Sequence, residues 1–279
     1  MAKYIKINNL SQCELDPYVR LTGAQLKSRL DPSRAVFIAE SPTVIGVALD
    51  AGCIPVSILT DKRLLNSDVR GVSDKADALG YDIPVYIGER EVLRDITGFE
   101  LTRGAFAEMR RPKPTNIDEI LTSARRVAVL ERITDTTNVG AIFRSAAALG
   151  IDAVLVTPDC CDPLSRRAIR VSMGTVFMIP WAQIGESYTD WPQKGMEILH
   201  GYGFKTVAMA LRDDSVIPSD QDLKSEERLA IILGTEGTGL MDETIRTADY
   251  VTRIPMARNV DSLNVGAAAA IAFYELCNK

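Results

Sequence analysis

Histidine is nearly missing from this sequence: His200 is the only one in 279 residues. Mechanisms that need paired histidines, such as an HExxH zinc site, are thereby excluded. His200 sits in Met196-Glu-Ile-Leu-His-Gly, where a helix should end, and fits a capping role better than catalysis. The five cysteines (13, 53, 160, 161 and 277) are odd in number and contain no CxxC pair. That pattern argues for reduced thiols in a cytoplasm and against a bound metal. No apolar run reaches the roughly 20 residues needed to cross a bilayer, so a membrane is not an expected partner. The opening Met1-Ala-Lys-Tyr-Ile-Lys also lacks the apolar core of a signal peptide. A GxGxxG turn and a P-loop are both absent, which counts against dehydrogenases and P-loop nucleotidases. Nor is there a basic excess. With a net charge of −5, nucleic-acid binding is permitted by charge but not indicated by it.

What is present is an ordinary globular composition, 46% hydrophobic and 25% charged. Residues 11–30 carry helical apolar spacing. Ala35–Ala39, Val56–Thr60 and Val85–Ile87 read as short strands, with helices from Ser41-Pro42 to Asp50, up to Leu79-Gly80, and from Glu91 to Thr97. Residues 1–108 therefore form one α/β unit. Residues 109–124, opening on Met109-Arg-Arg-Pro-Lys-Pro-Thr-Asn, read as a linker. From 125 to 279 strands and helices alternate regularly. The strands are Val127–Leu130, Ala153–Val156, Val176–Ile179, Thr206–Ala210, Leu229–Leu233 and Tyr250–Ile254. Such alternation predicts a parallel sheet with ligand-binding loops at the strands' carboxyl ends.

Three stretches carry chemistry. Glu131-Arg-Ile-Thr-Asp-Thr-Thr-Asn-Val-Gly-Ala-Ile-Phe-Arg joins a strand to a helix; Asn138 is the expected cap, and Arg144 lies among apolar neighbours that leave it needing a partner. Ile231-Ile-Leu-Gly-Thr-Glu-Gly-Thr-Gly-Leu places Gly234, Gly237 and Gly239 after a buried strand, where glycine permits positive φ or close approach. Glu236 between them disfavours a polyanion and suits an uncharged or cationic small molecule. Ile254-Pro-Met-Ala-Arg-Asn-Val-Asp-Ser-Leu-Asn ends a strand, with Asp261-Ser262 as capping residues for a buried, alanine-rich helix from Leu263 to about Leu276. Capping accounts for Ser262 but leaves Asn264, a poor helix former, unexplained.

Taken in order, the three stretches resemble the motifs of the SpoU (TrmH-like) RNA ribose methyltransferases of the SPOUT superfamily. Asn138, Gly140 and Arg144 fall on the first motif, Gly234, Glu236, Gly237 and Gly239 on the second, and Ile254-Pro255-Met256 with Ser262-Leu263-Asn264 on the third. The resemblance implies an α/β fold: a parallel sheet with a C-terminal trefoil knot, preceded by a small α/β substrate-binding domain. It implies a homodimer that uses S-adenosylmethionine to methylate a ribose 2′-hydroxyl in structured RNA, ribosomal RNA ahead of transfer RNA. Cofactor contacts would fall on Leu211, Gly234, Ile254, Met256 and Leu263. Catalytic duties would fall on Arg144, Asn138, Glu236, Ser262 and Asn264. Arginine stays protonated, so Arg144 is expected to position the nucleotide through a phosphate. Two departures stand out. Asp135-Thr136-Thr137 occupies the place of the family's Pro/Gly turn, and Ala257-Arg258-Asn259 the place of a frequent glycine. A catalytically silent RNA-binding protein on the same fold is the alternative reading.

Overall fold

The computed structural model describes residues 3–9, 12–27, 31–65, 67–97, 104–212, 215–258 and 261–277. It divides into two compact units, one of residues 1–113 with 164–177 and the other of 114–163 with 178–279.

The first unit is a mixed five-stranded sheet. Its strands are β1 (Lys3–Ile7), β2 (Val36–Glu40), β3 (Pro55–Asp61), β4 (Pro84–Gly88) and β5 (Ala105–Arg110), in the order β1-β4-β3-β5-β2. β1 and β3 run parallel to β4, whereas β5 runs antiparallel to β3 and β2. Helices α1 (Asp16–Val19), α2 (Gly23–Lys27), α3 (Pro42–Asp50), α4 (Ser67–Ala78) and α5 (Arg90–Thr97) complete it. α3 starts as its sequence predicts: the Ser41 hydroxyl accepts the Val44 N–H at 3.4 Å and Pro42 fills the first turn. The single helix expected over 11–30 is instead a 3-10 turn (Cys13–Leu15) followed by α1 and α2. Pro17 lies in the first turn of α1, and the Arg20 N–H closes that helix on the Asp16 carbonyl. Residues 28–30 of that stretch, and 98–103 of the segment Thr97–Gly104, lie outside the described residues.

The second unit follows as α6 (Ile117–Ser123), β6 (Arg126–Leu130), α7 (Thr136–Ala148) and β7 (Ala153–Val156). Helix α8 (Arg166–Val171) then groups with the first unit, before β8 (Trp181–Gln183), α9 (Gln193–Gly201), β9 (Lys205–Met209) and α10 (Gln221–Ser225). β10 (Leu229–Leu233), α11 (Asp242–Thr247), β11 (Tyr250–Thr252) and α12 (Val265–Cys277) end the chain. Residues 109–124 thus carry the end of β5 and helix α6, whose Ile120 and Leu121 are buried. The strand expected at Val176–Ile179 lies later, at Trp181–Gln183. Residues 175–177 form a 3-10 turn after Gly174, which has φ 85°, so Val176 and Ile179 are spaced as one helical turn, not as alternating strand positions.

All five strand pairings of the second sheet are parallel, in the order β11-β9-β10-β6-β7-β8. β10 and β6, Leu-Ala-Ile-Ile-Leu and Arg-Val-Ala-Val-Leu, are buried along their whole length. Strands covered on both faces by helices read as such continuous apolar runs. β6 leads on to β7, on one side of it, while β10 leads to β11, which lies beyond β9 on the other side. Connections that leave neighbouring strands in opposite directions open a crevice at the carboxyl ends of those strands. The crevice here falls between β6 and β10. Among the described residues, no helix is long and apolar enough to cross a membrane.

Candidate active site

The loop after β10 forms one wall of this crevice. Gly237 and Gly239 hold φ of 86° and 69°, a region that residues with a β-carbon rarely enter. A β-carbon on Gly234 would lie 2.5 Å from the Gly239 carbonyl carbon and the Leu240 nitrogen. The loop therefore folds back on itself, and the Gly239 N–H closes it on the Thr235 carbonyl at 3.0 Å. The glycine spacing is explained by this turn.

Three polar side chains from the three sequence stretches meet beside it. Asn138 Nδ2 donates to Glu236 Oε1 at 3.0 Å, and Asn264 Nδ2 donates to both Asn138 Oδ1 at 2.9 Å and Glu236 Oε1 at 2.5 Å. The other end of the Asn264 amide, Oδ1, accepts the Gly266 and Ala267 N–H groups at 2.9 and 3.3 Å. Asn264 is therefore the cap of α12, which starts at Val265. The cap expected at Asp261-Ser262 is corrected accordingly, since those residues and Leu263 lie outside the helix, exposed and ahead of its first turn. Asn138 is corrected too: Asp135 caps α7, accepting the Thr137 N–H at 2.6 Å, and Asn138 is buried in the first turn. Gly266 makes the meeting possible, because a β-carbon there would lie 3.1 Å from the Ala141 methyl of α7.

A cavity of about 800 Å³ opens over the carboxyl ends of β9, β10 and β11. Leu211, Gly234, Ile254, Met256 and Leu263 all line it, as do Glu236, Ser262 and Asn264. Asn138 joins through its two hydrogen bonds. Arg144 is not brought in. It is exposed on α7, lines no part of the cavity, and has no recorded polar contact among the described residues. The partner that its apolar neighbours demanded is replaced by solvent: Ile142 and Phe143 are buried, while the guanidinium side of the helix is open.

Sequence reasoning missed Glu131, the residue directly after β6. Its carboxylate is fully buried and accepts Trp191 Nε1–H at 2.7 Å, the Thr244 hydroxyl at 2.5 Å and the Met241 N–H at 2.5 Å. Burial pushes its carboxyl up from the usual range; the three donors oppose that. Through Met241 it fixes the start of α11, whose Asp242 and Ile245 belong to the cavity wall. An acid ending an apolar strand was the available signal, but its partners lie 60 to 113 residues away.

A parallel α/β domain with a cavity at the carboxyl ends of its strands β9, β10 and β11, walled by backbone and apolar side chains and edged by a few polar groups, has the form of a small-molecule-binding domain. The SpoU rRNA Methylase family model matches residues 125–274, and the chain belongs to that family. A Mycobacterium bovis protein described as an uncharacterized tRNA/rRNA methyltransferase is 38% identical over 263 residues, covering 94% of this chain and 87% of that one. The 23S rRNA (guanosine-2′-O-)-methyltransferase RlmB of Acinetobacter baylyi is 30% identical over 205 residues, 71% of this chain and 80% of that one. The crystal structure of an AdoMet-bound rRNA methyltransferase from Sinorhizobium meliloti superposes with a TM-score of 0.79 at 25% identity, covering 98% and 97% of the two chains.

Proposed function

We propose that this protein transfers a methyl group from S-adenosylmethionine to a ribose 2′-hydroxyl of structured RNA, ribosomal RNA ahead of transfer RNA. The observation that carries the reading is the Asn138–Glu236–Asn264 cluster, drawn from the first turn of α7, the loop after β10 and the cap of α12, and seated at the edge of the cavity. Family membership supports RNA methylation in general. The ribose position is supported by the RlmB relative, which is named for that chemistry.

S-adenosylmethionine is the cofactor, and it supplies an electrophilic methyl group. The cavity suits it on three counts. Its size is within the range of ordinary ligand sites. Leu211, Ile254, Met256 and Leu263 offer apolar walls for an adenine ring and ribose. Glu236, Asp242 and Asp261 add acidic groups for a cationic sulfonium and amine. Glu236 also accepts from two amides, so it is fixed and acts as an organiser of the loops. Asn264 links the helix start to that loop pair, and Ser262, exposed two residues before it, is available to the target ribose. Arg144, a permanent cation, positions the nucleotide through a phosphate.

The reading extends to the whole chain. Residues 1–108 recruit the RNA, 109–124 connect, and 125–279 catalyse, in a cytoplasmic homodimer. The segments after β10 and β11 both line the cavity, and membership of the SpoU family supports their passing each other as a trefoil knot.

The test is transfer of labelled methyl from S-adenosylmethionine to total RNA from cells lacking the gene, followed by alkaline hydrolysis. An alkali-resistant dinucleotide carrying the label is expected. Label confined to bases would remove the ribose assignment, and cofactor binding with no transfer would favour a catalytically silent RNA-binding protein.

A further inference from the structure

Arg144 lies two turns into α7, away from the polar cluster, whereas a second arginine is held just beyond the carboxyl end of β6 under more constraint. Arg132 has φ 57°, in the left-handed region. A β-carbon is disfavoured there, so glycine or asparagine would ordinarily take such a position. The backbone around it is clamped on both sides. The Glu131 N–H reaches the Leu233 carbonyl at 2.8 Å, and the Arg132 N–H reaches Thr157 Oγ1 at 3.0 Å. Cys160 Sγ takes the Ile133 N–H at 3.2 Å and gives its proton to the Leu130 carbonyl at 2.9 Å, while the Cys161 N–H binds the Ile133 carbonyl at 3.0 Å.

None of these contacts uses the arginine side chain. Among the described residues its ion pair is with Asp159, Nε 3.5 Å from Oδ2, in a pair whose side chains are 47% and 36% exposed, and its charge also acts on the neighbouring Glu131 carboxylate. Exposed pairs of that kind contribute little and do not offset the unfavourable backbone region. Asp159 is itself steadied by the Thr157 hydroxyl at 2.6 Å, so the pair fixes the stem near Nε and leaves the terminal nitrogens of Arg132 without recorded partners among the described residues. A strained residue persists where its surroundings over-determine it, and such residues collect at functional sites. Position agrees. Arg132 follows Glu131, which braces the cavity wall, and precedes by six residues the Asn138 of the polar cluster.

We propose that Arg132 is a substrate-positioning residue that grips a backbone phosphate of the RNA next to the target nucleotide, with the Thr157–Asp159–Cys160 turn holding it in place. The chemistry fits: a planar guanidinium whose two terminal nitrogens meet no partner among the described residues is suited to bidentate phosphate contact. The proposal rests on the RNA methyltransferase reading given above.

The test compares wild type with Arg132→Gly, Arg132→Asn and Arg132→Lys, using ribosomal RNA isolated from cells lacking the gene. Glycine and asparagine both accept the left-handed backbone, so one folded variant is enough, and tryptophan fluorescence during unfolding should show Arg132→Gly at least as stable as wild type. S-adenosylmethionine affinity should stay within twofold. KM for RNA should rise at least tenfold in Arg132→Gly and Arg132→Asn, with the larger effect on KM than on kcat. The slope of log binding constant against log salt should become shallower by about 0.7 to 0.9, one phosphate contact, and Arg132→Lys should recover most of that slope. Unchanged KM and slope in a folded glycine or asparagine variant would overturn the proposal. A wild-type protein that binds the cofactor and methylates no RNA would overturn the underlying reading instead, so the two failures are distinct.

Discussion

The two edges of the parallel sheet treat charge in opposite ways. At the amino edge, where β6, β9, β10 and β11 begin, charged groups are tied up. Arg228 donates to the carbonyls of Leu121, Thr122, Ala124 and Tyr202 at 2.6 to 3.1 Å, closing the C-terminal ends of α6 and α9, and stacks 4.7 Å over the Phe204 ring. Arg126 binds the carbonyls of Leu276, Glu226 and Glu227, fastening the last turn of α12. Burial alone would raise the Asp249 carboxyl, but the Thr206 N–H, Lys205, the Thr206 hydroxyl and His200 outweigh it and hold it at about 2. His200 thus pairs with Asp249, Nε2 to Oδ2 at 2.9 Å, where a helix-capping role was expected. At the carboxyl edge Glu236, Arg132 and Arg258 are exposed, both arginines have positive φ, and glycines shape the loops. One edge uses charge to close helix ends; the other leaves charge available to a ligand.

Breaking the amino edge should cost the most. Arg228→Ala strands four carbonyls of two helix ends, and hydrogen bonds to a charged donor are worth about 1.5–3 kcal/mol each without being additive. A loss of at least about 3 kcal/mol is expected, read from urea unfolding followed by fluorescence; Trp181 and Trp191 both belong to the second unit. Cofactor affinity per folded molecule should barely move. A loss below about 0.5 kcal/mol would class Arg228 with ordinary surface positions.

A smaller stability effect with a larger functional one is expected at the carboxyl edge. Asn264→Asp keeps an oxygen to cap α12, since Asp caps helices about as well as Asn. It removes the Nδ2 donor to Asn138 and Glu236 and sets a second carboxylate against Glu236. Methyl transfer should fall at least tenfold, while the unfolding midpoint shifts far less than in Arg228→Ala. Wild-type transfer by a folded Asn264→Asp protein would show that the amide link is not needed.

This contrast also explains what the sequence could reveal. The three motif stretches were legible because glycine spacing, a strand ending at Pro255 and a cap-like polar run are local signals. They pointed to Asn138, Glu236 and Asn264, which the fold brings together. The capping assignments went wrong because Asn264 is selected by contacts to residues 126 and 28 positions away as well as by its own helix. Arg126 and Arg228 were opaque for the same reason: Arg125-Arg126 reads as a solvated basic pair, yet Arg126 is buried and reaches carbonyls 100 residues or more along the chain. Strand β8 was displaced because Val176 and Ile179 lie in an apolar run too short for its period to be told.

The division between the edges is most directly tested by amide hydrogen exchange of the wild-type protein with and without S-adenosylmethionine. Protection should appear in residues 233–240, 252–256 and 261–264, around the cavity, and the amino-edge segments 121–126, 200–206 and 226–229 should stay unchanged. Protection at the amino edge with none over 233–240 would contradict the assignment of the cavity as the cofactor site.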